Sequence, residues 1–233
     1  MFEEKQALLL DMNSTFMFGE DRFGTEENFS EYYKSIGGRL APDYINTIIH
    51  KVYEYLAEKY PTEEYRHRFP TLSQAIDACS KGRIVEPEKD KIIKTFTYHE
   101  HGEIPEHYLR ALKRLRERFI LSLVIDIWAP KEMWVRSFKK LEVWELFSAY
   151  SFSSDHGMVK PSPKPFEMVM DKLKLSKEQC LVIGDSVRRD LGGAQAAGID
   201  CVLVGGAESN QSVGAYSSLL EFQEVVCPFE CSI

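Results

Sequence analysis

The sequence contains no run approaching the ~18 uninterrupted apolar residues that a membrane span requires. Nor does it have a basic excess. Its 29 Lys and Arg stand against 36 Asp and Glu, a formal charge of −7, which excludes a general nucleic-acid binder. A phosphorylated substrate is not excluded, because only the charges lining a pocket decide that. Cysteine is scarce: five in 233 residues, an odd number, with Cys79, Cys180, Cys201 and Cys227 widely spread in apolar or small-residue company. That pattern supplies no disulfide framework and reads as reduced thiols of an intracellular protein. The start, "MFEEKQALLL", carries two glutamates and no small-residue cleavage site, so a secretory leader is not expected and a cytoplasmic protein is. Internal repeats and low-complexity stretches are also missing.

What is present is an ordinary globular mix, 44% hydrophobic and 28% charged, enough for a real core. Short apolar runs at 6–11, 118–128, 149–154, 180–185 and 200–205 read as buried strands. Helical spacing fills 105–117, 130–146, 164–174, 188–197 and 215–224. Strands alternating with helices predict βαβ units and a parallel sheet. From about 19 to 99 the pattern is helical throughout, which predicts an insert. In such sheets ligands bind outside the carboxyl ends of the strands, so chemistry is sought at Asp11, Asp126, Ser153–Asp155 and Asp185.

The most informative segment is "LVIGDSVRRDLGGAQAAGI". A buried strand ends at Gly184, and Asp185 and Asp190 follow at a strand-to-helix turn. With Asp11 at the end of another strand they make a set of hard oxygen ligands of the kind magnesium prefers. Taken alone, Ser186 and Asp190 also suit a helix cap. Near the amino end, "LLLDMNST" puts an amide, Asn13, two residues after Asp11.

"LLLDMNST", "KPSPKPFEMVMDKL" and "VIGDSVRRDLGGAQAAGI" resemble, in order and spacing, the first, third and fourth signature loops of the haloacid dehalogenase superfamily. The resemblance covers about 1–18 and 103–205. It implies an α/β fold, a Rossmann-like parallel-sheet core (1–18 and 100–233) carrying an inserted, mainly helical cap (19–99). It implies Asp11 as a nucleophile that forms an aspartyl-phosphate. Asp11 and Asp185 would hold Mg2+ together with the backbone carbonyl of Asn13, and Asp190 would support that site. Lys160 would neutralise charge on the nucleophile and the phosphoryl group. The implied partner is a small phosphorylated metabolite, with no nucleic acid and no membrane.

Two loops depart from the family pattern. Its phosphatases carry a general acid–base aspartate where this chain has Asn13, and an amide does no such work. The second loop usually ends its strand in a Ser or Thr that bonds the phosphate. Here "LVIDIWAP" puts Ile125 or Asp126 there, and an anionic Asp126 would repel phosphate; Ser122 is expected inside the strand. The leading expectation is therefore a slow magnesium-dependent phosphatase. Its rivals are a catalytically silent protein that binds a phosphorylated ligand or partner, and a 2-haloacid dehalogenase, which Asp185 and Asp190 disfavour. "YHEHGEIPEH" groups three histidines, but in no HExxH spacing, and reads as a solvated hinge rather than a zinc site. "RALKRLRERF" reads as the wet face of a core helix. Cys227 and Cys231 resemble half a metal or disulfide pair with no second half nearby, and read as a frayed terminus.

Overall fold

Each of the central strands is apolar on both sides, and a strand of that kind is stable only when helices cover both faces of its sheet. A computed structural model describes residues 2–228. The elements run β1 (Ala7–Leu10), α1 (Phe29–Ser35), α2 (Pro42–Lys59), α3 (Leu72–Ser80), α4 (Glu88–Glu100), α5 (Glu106–Arg116), β2 (Ile120–Ile125), α6 (Glu132–Lys140) and β3 (Phe147–Phe152). They continue with α7 (Ser153–His156), α8 (Lys164–Leu173), β4 (Cys180–Gly184), α9 (Gly192–Ala197), β5 (Asp200–Leu203), β6 (Gly214–Ala215) and α10 (Leu219–Val226). The sheet is wholly parallel, in the order β3-β2-β1-β4-β5-β6. Alternation along β1 sends Ala7 and Leu9 to one core, with Phe166, Val169 and Ala194 of α8 and α9. Leu8 and Leu10 go to the other, with Leu112, Phe138 and Phe222 of α5, α6 and α10.

The chain runs outward from β1 to β2 and β3, then returns to lay β4 against the other side of β1. That reversal opens the crevice where such sheets bind ligands. The register sets Leu10 opposite Ile183, so Asp11 and Gly184 leave the sheet side by side.

Four helices occupy the segment between β1 and α5. In α2 the buried residues Ile45, Ile48, Ile49, Val52 and Leu56 form one stripe, and Pro42 starts the helix where its missing N–H costs nothing. Thr71 and Gln74 close a capping box on α3. Aromatic rings join this insert to the sheet: Phe23 stacks on Tyr53 at 4.6 Å, and Tyr53 and Tyr60 meet Trp128 at 5.5 and 5.7 Å. The two connecting strands pair through Phe18 and Glu103, whose amides and carbonyls exchange bonds of 2.9 and 2.8 Å. Beside them the buried Glu100 carboxylate accepts the amides of Trp128 and Ala129 at 2.6 and 2.8 Å.

Several local expectations differ from what is observed. The segment 130–146 is not one helix: α6 ends at Lys140, Glu142 turns left-handed (φ 56°), and a short helical turn follows at Trp144–Leu146. The segment 188–197 begins with a π-helical turn, Val187–Leu191, before α9. The short edge strand β6 was not expected. The histidine segment is not a solvated hinge throughout: His99 is 5% exposed, edge-on to Phe29, whereas His107 is exposed. Cys79, Cys180, Cys201 and Cys227 are free thiols, and the Cys231 reading lies outside the described residues. Among the described residues no helix is long and apolar enough to cross a membrane.

Candidate active site

The site is built where β1 and β4 end. Asp11 remains tied to the sheet through its amide, which donates to the Ile183 carbonyl at 2.8 Å. Its carboxylate receives the Lys160 ammonium at 2.5 Å on Oδ1, and the same ammonium reaches Asp190 Oδ1 at 2.7 Å. All three side chains are buried. Asp190 is fixed from its other side as well: its Oδ2 accepts the Ser186 amide at 3.0 Å, while Ser186 Oγ accepts the Arg189 amide at 3.2 Å. The turn that permits this depends on Gly184. A Cβ there would lie 2.2 Å from Asp190 Cγ, so the glycine makes room for the carboxylate.

Burial pushes the Asp11 carboxyl above its usual range, and the Lys160 ammonium opposes that shift. Asp190 is raised for the same reason and likewise opposed by Lys160. Burial would lower Lys160, but Asp11, Asp190 and Asp126 together lift it, so the ammonium stays charged. Asp185 is raised by burial and by its neighbour Asp190. A lysine shared by two buried carboxylates is thus the electrostatic centre of the crevice.

One oxygen from each of Asp11, Asp185 and Asp190 lies within 4.8 Å of the others. Asp185 Oδ1 and Asn13 Oδ1 are buried with no hydrogen-bond partner among the described residues, a costly state for an isolated carboxylate or amide oxygen. The grouped carboxylates, with Asp185 Oδ1 accepting no hydrogen bond, are hard oxygen donors that fit magnesium. Asp190 differs from Asp185, since both of its oxygens are engaged by Lys160 and Ser186.

Asp126 stands at the end of β2, and its Oδ2 accepts the Lys160 backbone amide at 2.9 Å and the Tyr60 hydroxyl at 2.6 Å. Burial raises its pKa, with Lys160 opposing. Ser122 is wholly buried within β2. Ser153 at the end of β3 accepts the Ile127 amide and donates to the Ile127 carbonyl, and Asp155 pairs with Lys131, so neither joins the site.

The sequence reading passed over three residues. Thr15 approaches Asp11 Oδ2 at 3.5 Å. Tyr60, at the end of α2, reaches Asp126 across 66 positions of chain, and no spacing rule links the two. Arg189 stands beside Asp185 at 3.8 Å, with its guanidinium 5.9 Å from the Tyr60 ring centre. Its signal was available, because it immediately precedes Asp190 in the fourth loop.

Fold and site together define an α/β scaffold with a parallel sheet and, at the end of its first strand, a buried carboxylate, Asp11, paired with a lysine. A family model for haloacid dehalogenase-like hydrolases matches residues 41–204, and the chain belongs to that family. The pyrophosphatase PpaX of Halalkalibacterium halodurans is 29% identical over 129 residues, 52% of this chain and 59% of that protein. The PpaX of Bacillus cereus is 26% identical over 163 residues, 66% of this chain and 71% of that protein. The chain thus spans under two thirds of the first of these relatives. Among solved structures, a haloacid dehalogenase-superfamily phosphatase from Thermococcus onnurineus superposes with a TM-score of 0.65 at 15% identity, over 95% of this chain and 97% of that one. The family is one of hydrolases, and the named relatives are of the phosphatase class.

Proposed function

We propose that the chain is a magnesium-dependent phosphatase of a small phosphorylated metabolite, with segment 19–99 serving as a cap over the site. The carrying observation is the Lys160 ammonium shared between Asp11 and Asp190 beside an Asp185 oxygen that accepts no hydrogen bond. The pyrophosphatase names of the relatives support a small phosphate compound as substrate.

In this reading the Asp11 oxygen not held by Lys160 attacks phosphorus, and the bond from phosphorus to the leaving oxygen breaks. Water then attacks the aspartyl-phosphate, its proton passing to solvent, and frees phosphate and the Asp11 carboxylate, while the leaving oxygen takes its proton from solvent. Lys160 keeps Asp11 ionised in a buried site and offsets the charge that gathers in transfer. Magnesium, held by Asp11, Asp185 and the Asn13 carbonyl with Asp190 in support, supplies positive charge to the phosphoryl oxygens when bound. Asn13 supplies no proton to the leaving group, a service worth ~10²–10⁴-fold, so turnover is slow.

A second reading, a silent protein that binds a phosphorylated ligand, rests on that same amide. One experiment separates the two: p-nitrophenyl phosphate hydrolysis with magnesium for wild type, Asp11→Asn and Asn13→Asp. Activity in wild type that Asp11→Asn abolishes establishes the phosphatase. A silent wild type with an Asn13→Asp gain of ~10²-fold or more establishes a switched-off scaffold. Silence in all three overturns the phosphatase reading, and chloride release from a 2-haloacid, indifferent to chelator, would replace it.

A further inference from the structure

A phosphate group entering this crevice meets carboxyl groups from Asp11, Asp126, Asp185 and Asp190, and a second loop with no hydroxyl to offer it. The neighbouring ammonium and hydroxyl donors are occupied. The Lys160 ammonium is shared by two aspartates, the Tyr60 hydroxyl donates to Asp126, and the Ser153 hydroxyl donates to Ile127. The Thr15 hydroxyl is directed at Asp11. Ser122 is sealed within its strand.

Arg189 differs from all of these. Its side chain is 38% exposed, and its nearest nitrogen is 3.8 Å from Asp185 Oδ1, beyond hydrogen-bond range. Among the described residues its guanidinium makes no hydrogen bond. It is nonetheless placed, lying over the Tyr60 ring with its centre 5.9 Å away, and Tyr60 is itself anchored on Asp126. The neighbouring Arg188 donates to the Pro61 carbonyl, which fastens the same turn to the end of the inserted helix α2. Burial opposes the charge on Arg189, but Tyr60, Asp11, Asp190 and Asp185 hold the guanidinium protonated. The result is an oriented fork of unused N–H donors at the mouth of the crevice. Guanidinium matches two oxygens of one phosphate, which an ammonium does not.

We propose that Arg189 is the phosphate clamp of this site, holding the non-bridging oxygens of a phosphate monoester above Asp11 in place of the hydroxyl that the second loop lacks. The assignment deepens the phosphatase reading and rests on it for the identity of the substrate. It also explains how the second loop tolerates Ile125 and Asp126: the donor has moved from the end of β2 to the turn after β4.

The test is inorganic phosphate binding by calorimetry with magnesium, alongside ester hydrolysis. It compares wild type, Arg189→Ala, Arg189→Lys and the exposed-charge control Arg116→Ala, with melting temperatures to verify folding. Wild type is expected to bind phosphate. Arg189→Ala should weaken that binding by about 10- to 100-fold, as for losing hydrogen bonds to a charged group. Arg189→Lys should fall between them, since it keeps the charge and loses the fork, and Arg116→Ala should match wild type. The clamp is overturned if Arg189→Ala binds within about twofold of wild type, if wild type binds none, or if Arg116→Ala loses as much. Selective loss of binding in a protein that hydrolyses no ester keeps the clamp and removes the phosphatase reading. Normal turnover with an unchanged KM in Arg189→Ala does the reverse.

Discussion

The core side of the crevice is ionic and the side facing the inserted helices is aromatic. On the core side Asp11, Lys160 and Asp190 are buried charges joined at 2.5 and 2.7 Å. On the other, Phe23, Tyr53, Tyr60 and Trp128 meet ring to ring, and the Tyr60 hydroxyl bonded to Asp126 is a polar link between the sides. The difference follows from what each must do. Ionic groups in low dielectric interact strongly but tolerate no missing partner. Aromatic contacts are individually weak, summed over area, and indifferent to small displacements. In the proposed reading, where the chemistry is held rigidly and the cap adjusts to a ligand, both are needed.

The largest expected effect breaks the ionic side. Lys160→Met leaves two buried carboxylates without their cation and should cost ~3–5 kcal/mol in denaturant unfolding. Adding Asp190→Asn should recover part of that loss, and a single-variant cost near zero would show that the network is not the anchor described. Next, Gly184→Ala forces a methyl against the Asp190 carboxyl, with an expected ~1–3 kcal/mol loss in thermal unfolding.

The join between the two sides carries a pH dependence. Burial, followed by the charge of Asp21, pushes Glu100 from 4.5 up to about 8, against the pull of the Trp128 and Ala129 amides. Between those values the folded protein holds a proton that the unfolded chain releases. The associated stability is therefore full below 4.5 and lost as pH climbs through about 8. Melting temperature should fall across that window, by at most ~1.4 kcal/mol of stability per pH unit. Glu100→Gln should flatten the fall, and an unchanged slope in that variant would assign it to other groups. The smallest effect is on the aromatic side: Tyr60→Phe keeps the rings and removes one bond to Asp126, an expected ~0.5–1.5 kcal/mol by chemical denaturation. A loss as large as that of Lys160→Met would erase the contrast between the two sides.

Much of the core side was legible because its residues sit in contiguous stretches with a periodic signature. "ALLL" running into Asp11, and "CLVIG" running into Asp185, are buried strands that end on carboxylates, and the amide at Asn13 stood out only against the resemblance to the family's first loop. The misread elements had weaker signatures. The break after Lys140 depends on Glu142 adopting a left-handed conformation, which glutamate does not advertise. His99 is polar by composition and buried by Phe29, a contact made across 70 positions that no local pattern encodes.

By itself, then, the sequence determined the parallel sheet, the helical insert and the strand-end carboxylates. These follow from short-range periodicity and from which side chains can ionise. Tertiary structure alone decided that Lys160 bridges Asp11 and Asp190, that Tyr60 reaches Asp126, and that Arg189 lies over the Tyr60 ring beside Asp185. Each of those joins residues from separate elements, and their energies depend on distance and burial, quantities that exist only once the chain has closed on itself.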